Sequence, residues 1–573
     1  GIFSEEDANL GGRREVWQAA VTTIGNFPVL GTGIGSHASV SPIVMPPTDK
    51  TLFTHAENSY LNVGVETGLA GLVLAIVSLL IGFGSCSIVF LRGNAREQIV
   101  AVALATGLTA GAVHACTDFI WYVPACSTLL MLLGACAVRL AIPHAENISL
   151  PTLPLDRLSA TGLIATAVMV LGFIGKGQLQ AARAEVHFEE AIKQSRTVAK
   201  SSLEALSNQA AASFTEPKND GTEQVAATVS AEEQVLDELN QRISSLEQTV
   251  ANRPSHPRAW VDLAVSRLER FGLARRVAGE TFGLVEIRQT VEENSFDSAA
   301  ASQQWVKSVT GEYYADLQQA GQAALNAVTL TPCAGEAWCA LAAVAFLQEP
   351  SAALSRACIN QALQVRPHDG QVLFEAAVQA ELDGDTAESL RRYQQCFAEC
   401  PSQRRRILSV LLPLMPATAA CDLLEPDLAG LQMIDGLWSR HSPADAMRPV
   451  KEQRLAAAYA AAAEATGNPR CSLLCEAANL ERTLGNKTQA AATLAEAIEA
   501  NPNHYAARLT HVDFALAIGD ADTAKRELDW CLLRRPDSQK LQGRLQRLKQ
   551  LRVEQASRPP ALDLSRESPG ERR

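Results

Sequence analysis

The feature that most restricts this chain is a run of 24 residues without a charge, Gly68–Leu91. At about 1.5 Å per residue a helix of that length crosses about 30 Å of hydrocarbon. Three more apolar runs follow, Gln98–Ala115, Ile120–Val138 and Leu158–Gly175, the last two close to the minimum of about 17 residues for a span. They are internal and multiple, so a secretory signal peptide is excluded. Residues 68–175 are expected to form four transmembrane helices.

The short loops set an expected orientation. Arg92 and Arg96 lie between the first two spans, and Arg139 and Arg157 flank the connection from third to fourth. The loop between the second and third spans carries Asp118 and no Lys or Arg. The positive-inside rule then makes the arginine-bearing loops cytoplasmic. Residues 1–67 and everything after Gly175 fall on the outer side; Lys176 and Arg183 pull mildly the other way, but long domains translocate largely regardless of charge.

Beyond the spans, residues 176–573 are rich in helix formers and charge. The balance is acidic, 62 Asp and Glu against 50 Lys and Arg over 573 residues, with no long basic run. Nucleic acid is therefore not an expected partner, because phosphate binding needs clustered cations. None of the 13 cysteines forms a CxxC pair, which leaves zinc-ribbon and thioredoxin readings unsupported, and no metal or cofactor is expected. Cys86, Cys116, Cys126 and Cys136 lie in or beside apolar runs, where Cys acts as a small hydrophobe. The other nine cannot all pair with one another, which argues against a disulfide scaffold.

Prolines recur at Pro332, Pro367 and Pro401 and again at Pro469, Pro502 and Pro536, in steps of 33 to 35, with room for two degenerate copies between the sets. Five positions before four of them stand small residues, Ala362, Cys396, Ala497 and Cys531; seventeen before come Pro350, Gly384, Gly485 and Gly519. This is the arithmetic of two antiparallel helices per repeat, with a small residue at the close approach and a breaker after the first helix. Trp338 and Tyr505 stand near repeat starts, and Tyr393 and Leu528 within second helices. The pattern resembles the tetratricopeptide repeat, and "HPRAWVDLAVSRLERFG" (256–272) looks like a further copy. The expected fold is all-α: transmembrane helices, a helical linker over 176–255 with a polar insertion ("SFTEPKNDGTEQ"), a tetratricopeptide-like solenoid over 256–550, and a disordered tail over 551–573. Such solenoids usually present a concave surface to proteins or peptides.

Three segments around the first span line up: "GGRREVWQAAVTTIGNFPVLGTGIGS" (11–36), "HAENSYLNVGVETGLAG" (55–71) and "HACTDFIWYVPA" (114–125). They contain Arg13 four residues before Trp17, then Pro28 with a "GTGIG" turn. Asn58 follows, separated by nine residues from Gly68-x-x-Gly71, and "DF…PA" precedes the next apolar run. Together these resemble the C-terminal membrane portion of the O-antigen ligase and polymerase superfamily. The resemblance implies a metal-independent glycosyltransferase in the inner membrane of a bacterium, acting in surface polysaccharide or lipopolysaccharide synthesis. Its donor would be an undecaprenyl-diphosphate-linked glycan, and its acceptor a hydroxyl on a glycan, lipid or protein. It also implies that further spans precede Gly1, and that residues 1–67 are the external loop carrying the site. Arg13 and Arg14 then suit a diphosphate, because guanidinium groups bind it bidentately and keep their charge.

The family's histidine falls on Glu57 here, and His55 lies two residues earlier. Either Glu57 is the base, or His55 reaches the same space, or the base is lost. On a helix the two would point about 200° apart. Asn58 and Glu66 complete the expected substrate-binding set. Plainer roles stand beside these. The arginines serve equally as anchors to lipid phosphates, His55 and Glu57 as polar groups at a helix start capped by Asn58 or Thr54, and His114 as a structural hydrogen-bonder. "GTGIGS" follows no strand pattern, so it reads as a tight turn rather than a nucleotide loop. Two functions stay open: a lipid-carrier-dependent glycan ligase or polymerase, and a membrane-anchored repeat scaffold without catalysis.

Overall fold

The computed structural model describes residues 3–45, 53–144, 157–212, 221–280, 282–294, 296, 298–349 and 351–556, and every regular element among them is helical. The chain divides into two compact units, Gly1–Gln403 and Arg404–Arg573.

The first unit begins with α1 (Phe3–Asn26) and the short α2 (His37–Val44), followed by α3 (Ser59–Arg92), α4 (Ala95–His114) and α5 (Pro124–Ala141). A capping box starts α4: the Asn94 side chain accepts from the Arg96 and Glu97 amides while Glu97 accepts from the Asn94 amide. Proline at the first position starts α5, where its missing N–H costs nothing. Glycines let α4 and α5 approach closely. A Cβ at Gly111 would stand 2.3 Å from Leu130, and one at Gly107 2.9 Å from Leu133.

Where the sequence leads one to expect four spans, three helical stretches among the described residues are long and apolar enough to cross a membrane: Ser59–Arg92, Pro124–His144 and Ile164–Ser201. The second expected span falls on α4, a helix whose ends carry Arg96, Glu97 and His114 and which is not among the three. The third stretch lies within α6 (Arg157–Ala212), which runs unbroken from the apolar segment into a charged one. Large apolar side chains such as Leu80, Leu91, Met131 and Phe173 face outward, as lipid contact requires.

Helix α3 is broken at Gly68, which has φ 67° and ψ −167°. The break leaves helical carbonyls and amides without partners, and the preceding loop takes them up. Thr32 and Gly33 amides donate to the carbonyls of Val65 and Glu66, both at 2.9 Å, and Leu69 donates to Pro28 O at 2.8 Å. The crossing is so close that a Cβ on Gly31 would lie 2.5 Å from the Gly68 nitrogen, and one on Gly68 2.4 Å from Val29 O. "GTGIG" is thus a tight turn, and its work is to seal an interrupted span where irregular backbone must be buried in protein.

The end of α6 packs on α7 (Gly221–Asn252), with Phe188, Ala191, Leu239, Ile243 and Leu246 forming a shared core. Residues 213–220 of the expected polar insertion lie outside the described residues, while 221–224 already belong to α7. Next come α8 (Pro257–Val277), α9 (Leu284–Glu293), α10 (Ala299–Thr310) and α11 (Tyr314–Leu330). Helix α8 packs against α11, so the expected upstream copy is a helix pair with α9 and α10 inserted into its turn. Regular pairs follow in α12 (Gly335–Val344) with α13 (Ala352–Val365), and α14 (Gly370–Leu382) with α15 (Thr386–Glu399).

The second unit holds the short α16 (Arg404–Leu411), α17 (Ala417–Leu424) and α18 (Leu428–Trp438), then α19 (Arg448–Glu464), where two degenerate copies are expected. Its regular part comprises α20 (Gly467–Leu484), α21 (Lys487–Ala500), α22 (Tyr505–Ile518), α23 (Ala521–Arg534) and α24 (Gln539–Ala556). Residues 551–556 of the expected tail continue α24, and 557–573 lie outside the described residues.

The repeat arithmetic has a physical basis in both units. Ala362, Cys396, Ala497 and Cys531 are all 0% exposed at the helix–helix contacts. Gly384, Gly485 and Gly519 have positive φ after first helices, while Pro350 lies outside the described residues. The side chain six positions after the repeat proline donates to that proline's carbonyl in four copies: Trp260 to Pro254, Trp338 to Pro332, Arg508 to Pro502 and Gln542 to Pro536.

Candidate functional site

The start of α3 is stitched to the turn after α4. Asn58 caps α3 by accepting from the Leu61 amide at 3.0 Å, and its amide group donates to Cys116 O at 2.8 Å. Ser59 donates through Oγ to Asp118 O, and the Tyr60 hydroxyl to Ala112 O. Asn58 is therefore engaged on both sides of its amide, as the N-cap of α3.

The segment before α3 is not helical, so the helical geometry considered for residues 55 and 57 does not apply. Glu57 sits at φ 51°, a left-handed conformation that costs a residue with a Cβ about 1–2 kcal/mol. In that pose its Oε2 accepts from Arg13 Nε at 3.1 Å. The partners are 47% and 32% exposed, so this ion pair contributes at most about 1 kcal/mol to stability. Its consequence is positional, and backbone strain of this kind gathers at functional sites.

Arg13 also lines a cavity of about 1040 Å³ along α1, together with Arg14, Trp17, Gln18, Thr22 and Thr117. Arg14 has no ion-pair partner among the described residues. The Trp17 indole nitrogen is buried without a hydrogen-bond partner among the described residues. The cavity wall thus offers two guanidinium groups as donors, beside the Glu15 carboxylate.

His55 is half-buried in the same segment. Its ring stacks on Phe119 with centroids 4.5 Å apart and meets Tyr122 edge-on at 5.4 Å. Its Nδ1 lies 3.0 Å from Thr54 Oγ1. Glu66, 3% exposed, accepts from the Tyr122 hydroxyl at 3.0 Å. His114 lies 3.4 Å from Asp118. The structure therefore joins Arg13 to Glu57 and sets Arg14 beside them, while His55 and Glu66 meet through Tyr122. Tyr122 belongs to this cluster and is not singled out in the sequence, and Phe119 joins it from the "DF…PA" element. No group of three or more His, Cys, Asp or Glu able to hold a metal occurs among the described residues.

A broken apolar span, an arginine-lined cavity beside it and a helix-pair solenoid define a polytopic helical membrane protein with a tetratricopeptide-like arm. Residues 2–76 match the sequence model of the O-antigen ligase family. The match covers α1, α2, the Gly68 break and the first part of α3. No curated protein matches the chain. Among solved structures it is similar to yeast Tom70, with 10% identity and TM-score 0.21 over 67% of this chain and 97% of that one. It is also similar to the Cut9–Hcn1 hetero-tetramer of the APC/C, with 13% identity and TM-score 0.21 over 83% and 94%. A third is Naa15/Naa10 bound to HypK-THB, with 10% identity and TM-score 0.23 over 86% and 95%.

Proposed function

We propose that the membrane part is a glycosyltransferase of the O-antigen ligase and polymerase type, working on an undecaprenyl-diphosphate-linked glycan. The observation that carries this reading is the Arg13–Glu57 pair at the rim of a cavity that also holds Arg14, inside the segment that matches the ligase family. Arg13 and Arg14 hold the diphosphate, and Glu57 orients Arg13. His55, whose Nε2 has no hydrogen-bond partner among the described residues, takes the acceptor proton. The acceptor oxygen attacks the anomeric carbon, and the bond from that carbon to the diphosphate breaks. The electron pair leaves on the diphosphate, where the guanidinium groups meet the developing charge.

The reaction is assigned to the extracytoplasmic face of a bacterial inner membrane, with the solenoid on the same side to receive acceptor or partner proteins. Arg92, Arg96, Arg139 and Arg157 at the opposite ends of the spans support this orientation. The test is the surface-glycan ladder of a strain that depends on this protein. Arg13→Ala and His55→Ala should each reduce it about 100-fold or more, and Glu57→Gln less. Wild-type ladders from all three variants contradict the transferase and leave the repeat scaffold.

A further inference from the structure

The second unit ends on a surface whose charge opposes that of the chain. Residues 534–553 carry seven Arg or Lys and one Asp, in a chain with 62 Asp and Glu against 50 Lys and Arg. The cations are spaced along the turn before α24 and along α24 itself, where Lys540, Arg544 and Arg547 at i, i+4 and i+7 share one face. Arg544 pairs with Asp513 of α22, and Arg552 with Asp522 of α23. Arg534, Arg535, Lys540, Arg547 and Lys549 are exposed and have no carboxylate partner among the described residues. A helix that caps a solenoid must be polar to stay soluble, but it does not need a single sign of charge.

Two of these cations are held in place. The Arg534 guanidinium lies 3.5 Å from the ring centroid of Trp530, and that of Arg535 lies 4.5 Å from the centroid of Tyr505. Trp530 and Tyr505 are neighbours with centroids 6.5 Å apart, and Arg508 also lies over Trp530, at 4.5 Å. The Arg544–Asp513 pair sets the α24 stripe beside α22, the helix that Tyr505 opens. Stacked guanidinium groups are pre-oriented and lose little freedom on binding an anion.

An anionic membrane takes hold of such a surface when apolar side chains stand among the cations. Here Leu541, Leu545 and Leu548 of α24 pack into the core, and of the exposed Leu533 and Val553 one stands before α24 and the other near its end. Gln539, Gln546 and Gln550 are exposed instead, and their amides both donate and accept, as sugar hydroxyls do. We propose that this last repeat binds an acidic polysaccharide, its carboxylates meeting the arginine and lysine side chains and its hydroxyls the glutamines. The purpose of such a surface rests on the transferase reading above, which puts a glycan on this side of the membrane; its geometry does not.

The test is titration calorimetry of the full chain in phosphatidylcholine nanodiscs, with oligogalacturonate as the probe and dextran as the neutral control. Oligogalacturonate should bind and dextran should not, and binding should weaken as salt rises. Lys540→Glu combined with Arg547→Glu should weaken it about tenfold or more at an unchanged thermal midpoint. Arg534→Gln combined with Arg535→Gln is a second, independent pair with the same expectation. Absence of binding, or equal binding by both double variants, overturns the proposal. So does equal or tighter capture of phosphatidylglycerol vesicles, which makes the surface a membrane contact, or of polyglutamate, which makes it a site for acidic protein. None of these measurements needs transfer, so a wild type without a glycan ladder sinks the transferase reading alone.

Discussion

Arg366 Nη1 donates to the backbone carbonyl of Ser39 at 2.9 Å, across 327 positions of the chain. One residue closes α13 in the solenoid, and the other lies in the first turn of α2, next to the buried His37. This supports placing the segment before the first span and the solenoid on one side of the membrane. Arg366→Ala should speed hydrogen exchange of the 37–45 amides several-fold and leave those of α20 to α23 unchanged. Unchanged exchange at 37–45 would show that the arm does not hold α2.

The break in α3 should tolerate nothing but glycine. Gly68→Ala places a Cβ within 2.5 Å of Val29 backbone at a positive φ, and should destabilise the membrane part by more than about 2 kcal/mol. Gly33→Ala, also at positive φ but with open space around it, should cost about 1–2 kcal/mol. Thermal midpoints of the two variants in nanodiscs decide this; equal values contradict the close crossing.

Glu57 separates stability from function. Glu57→Gly relieves the left-handed strain and gives up an exposed ion pair, so stability should change by less than about 1 kcal/mol. The glycan ladder should nevertheless fall, because Arg13 loses its orienting partner. A ladder at wild-type level would make the pair an incidental surface contact.

His256 gives the solenoid a pH dependence with a definite sign. Its Nδ1 accepts from the Ala259 amide at 3.1 Å and so caps α8 in the neutral form. Burial, with Arg253 nearby, lowers its pKa. The unfolded chain then binds the proton more readily, so stability is full above about pH 6.5 and falls as pH drops toward the folded value. His256→Asn keeps a capping oxygen without a titration. Its thermal midpoint should vary less than that of wild type between about pH 5 and 6.5. Parallel curves would remove His256 from the account.

The repeats were legible because their signals are local: a proline every 33 to 35 residues, with Ala362 or Cys396 at a fixed distance from it, reads off one dimension. The pair formed by α8 and α11 was harder, since α9 and α10 lengthen its turn and spoil the period. In the site, Arg13, Arg14, His55 and Glu57 stood out as charged groups ahead of an apolar run. What stayed hidden was pairing at long range. Nothing local in "GTGIG" announces that its amides complete a helix broken at Gly68, 35 residues on from Gly33. Likewise Tyr122 gains its meaning only from Glu66, 56 positions away, to which its hydroxyl donates.

The central claim, that the polar segment ahead of Gly68 meets its substrate on the extracytoplasmic side, is tested most directly by thiol labelling. His55→Cys is made in a chain whose exposed Cys116 and Cys136 are changed to Ser. A membrane-impermeant maleimide is then applied to spheroplasts and to inverted vesicles. The account predicts reaction in spheroplasts, blocked in the vesicles; labelling confined to inverted vesicles contradicts it.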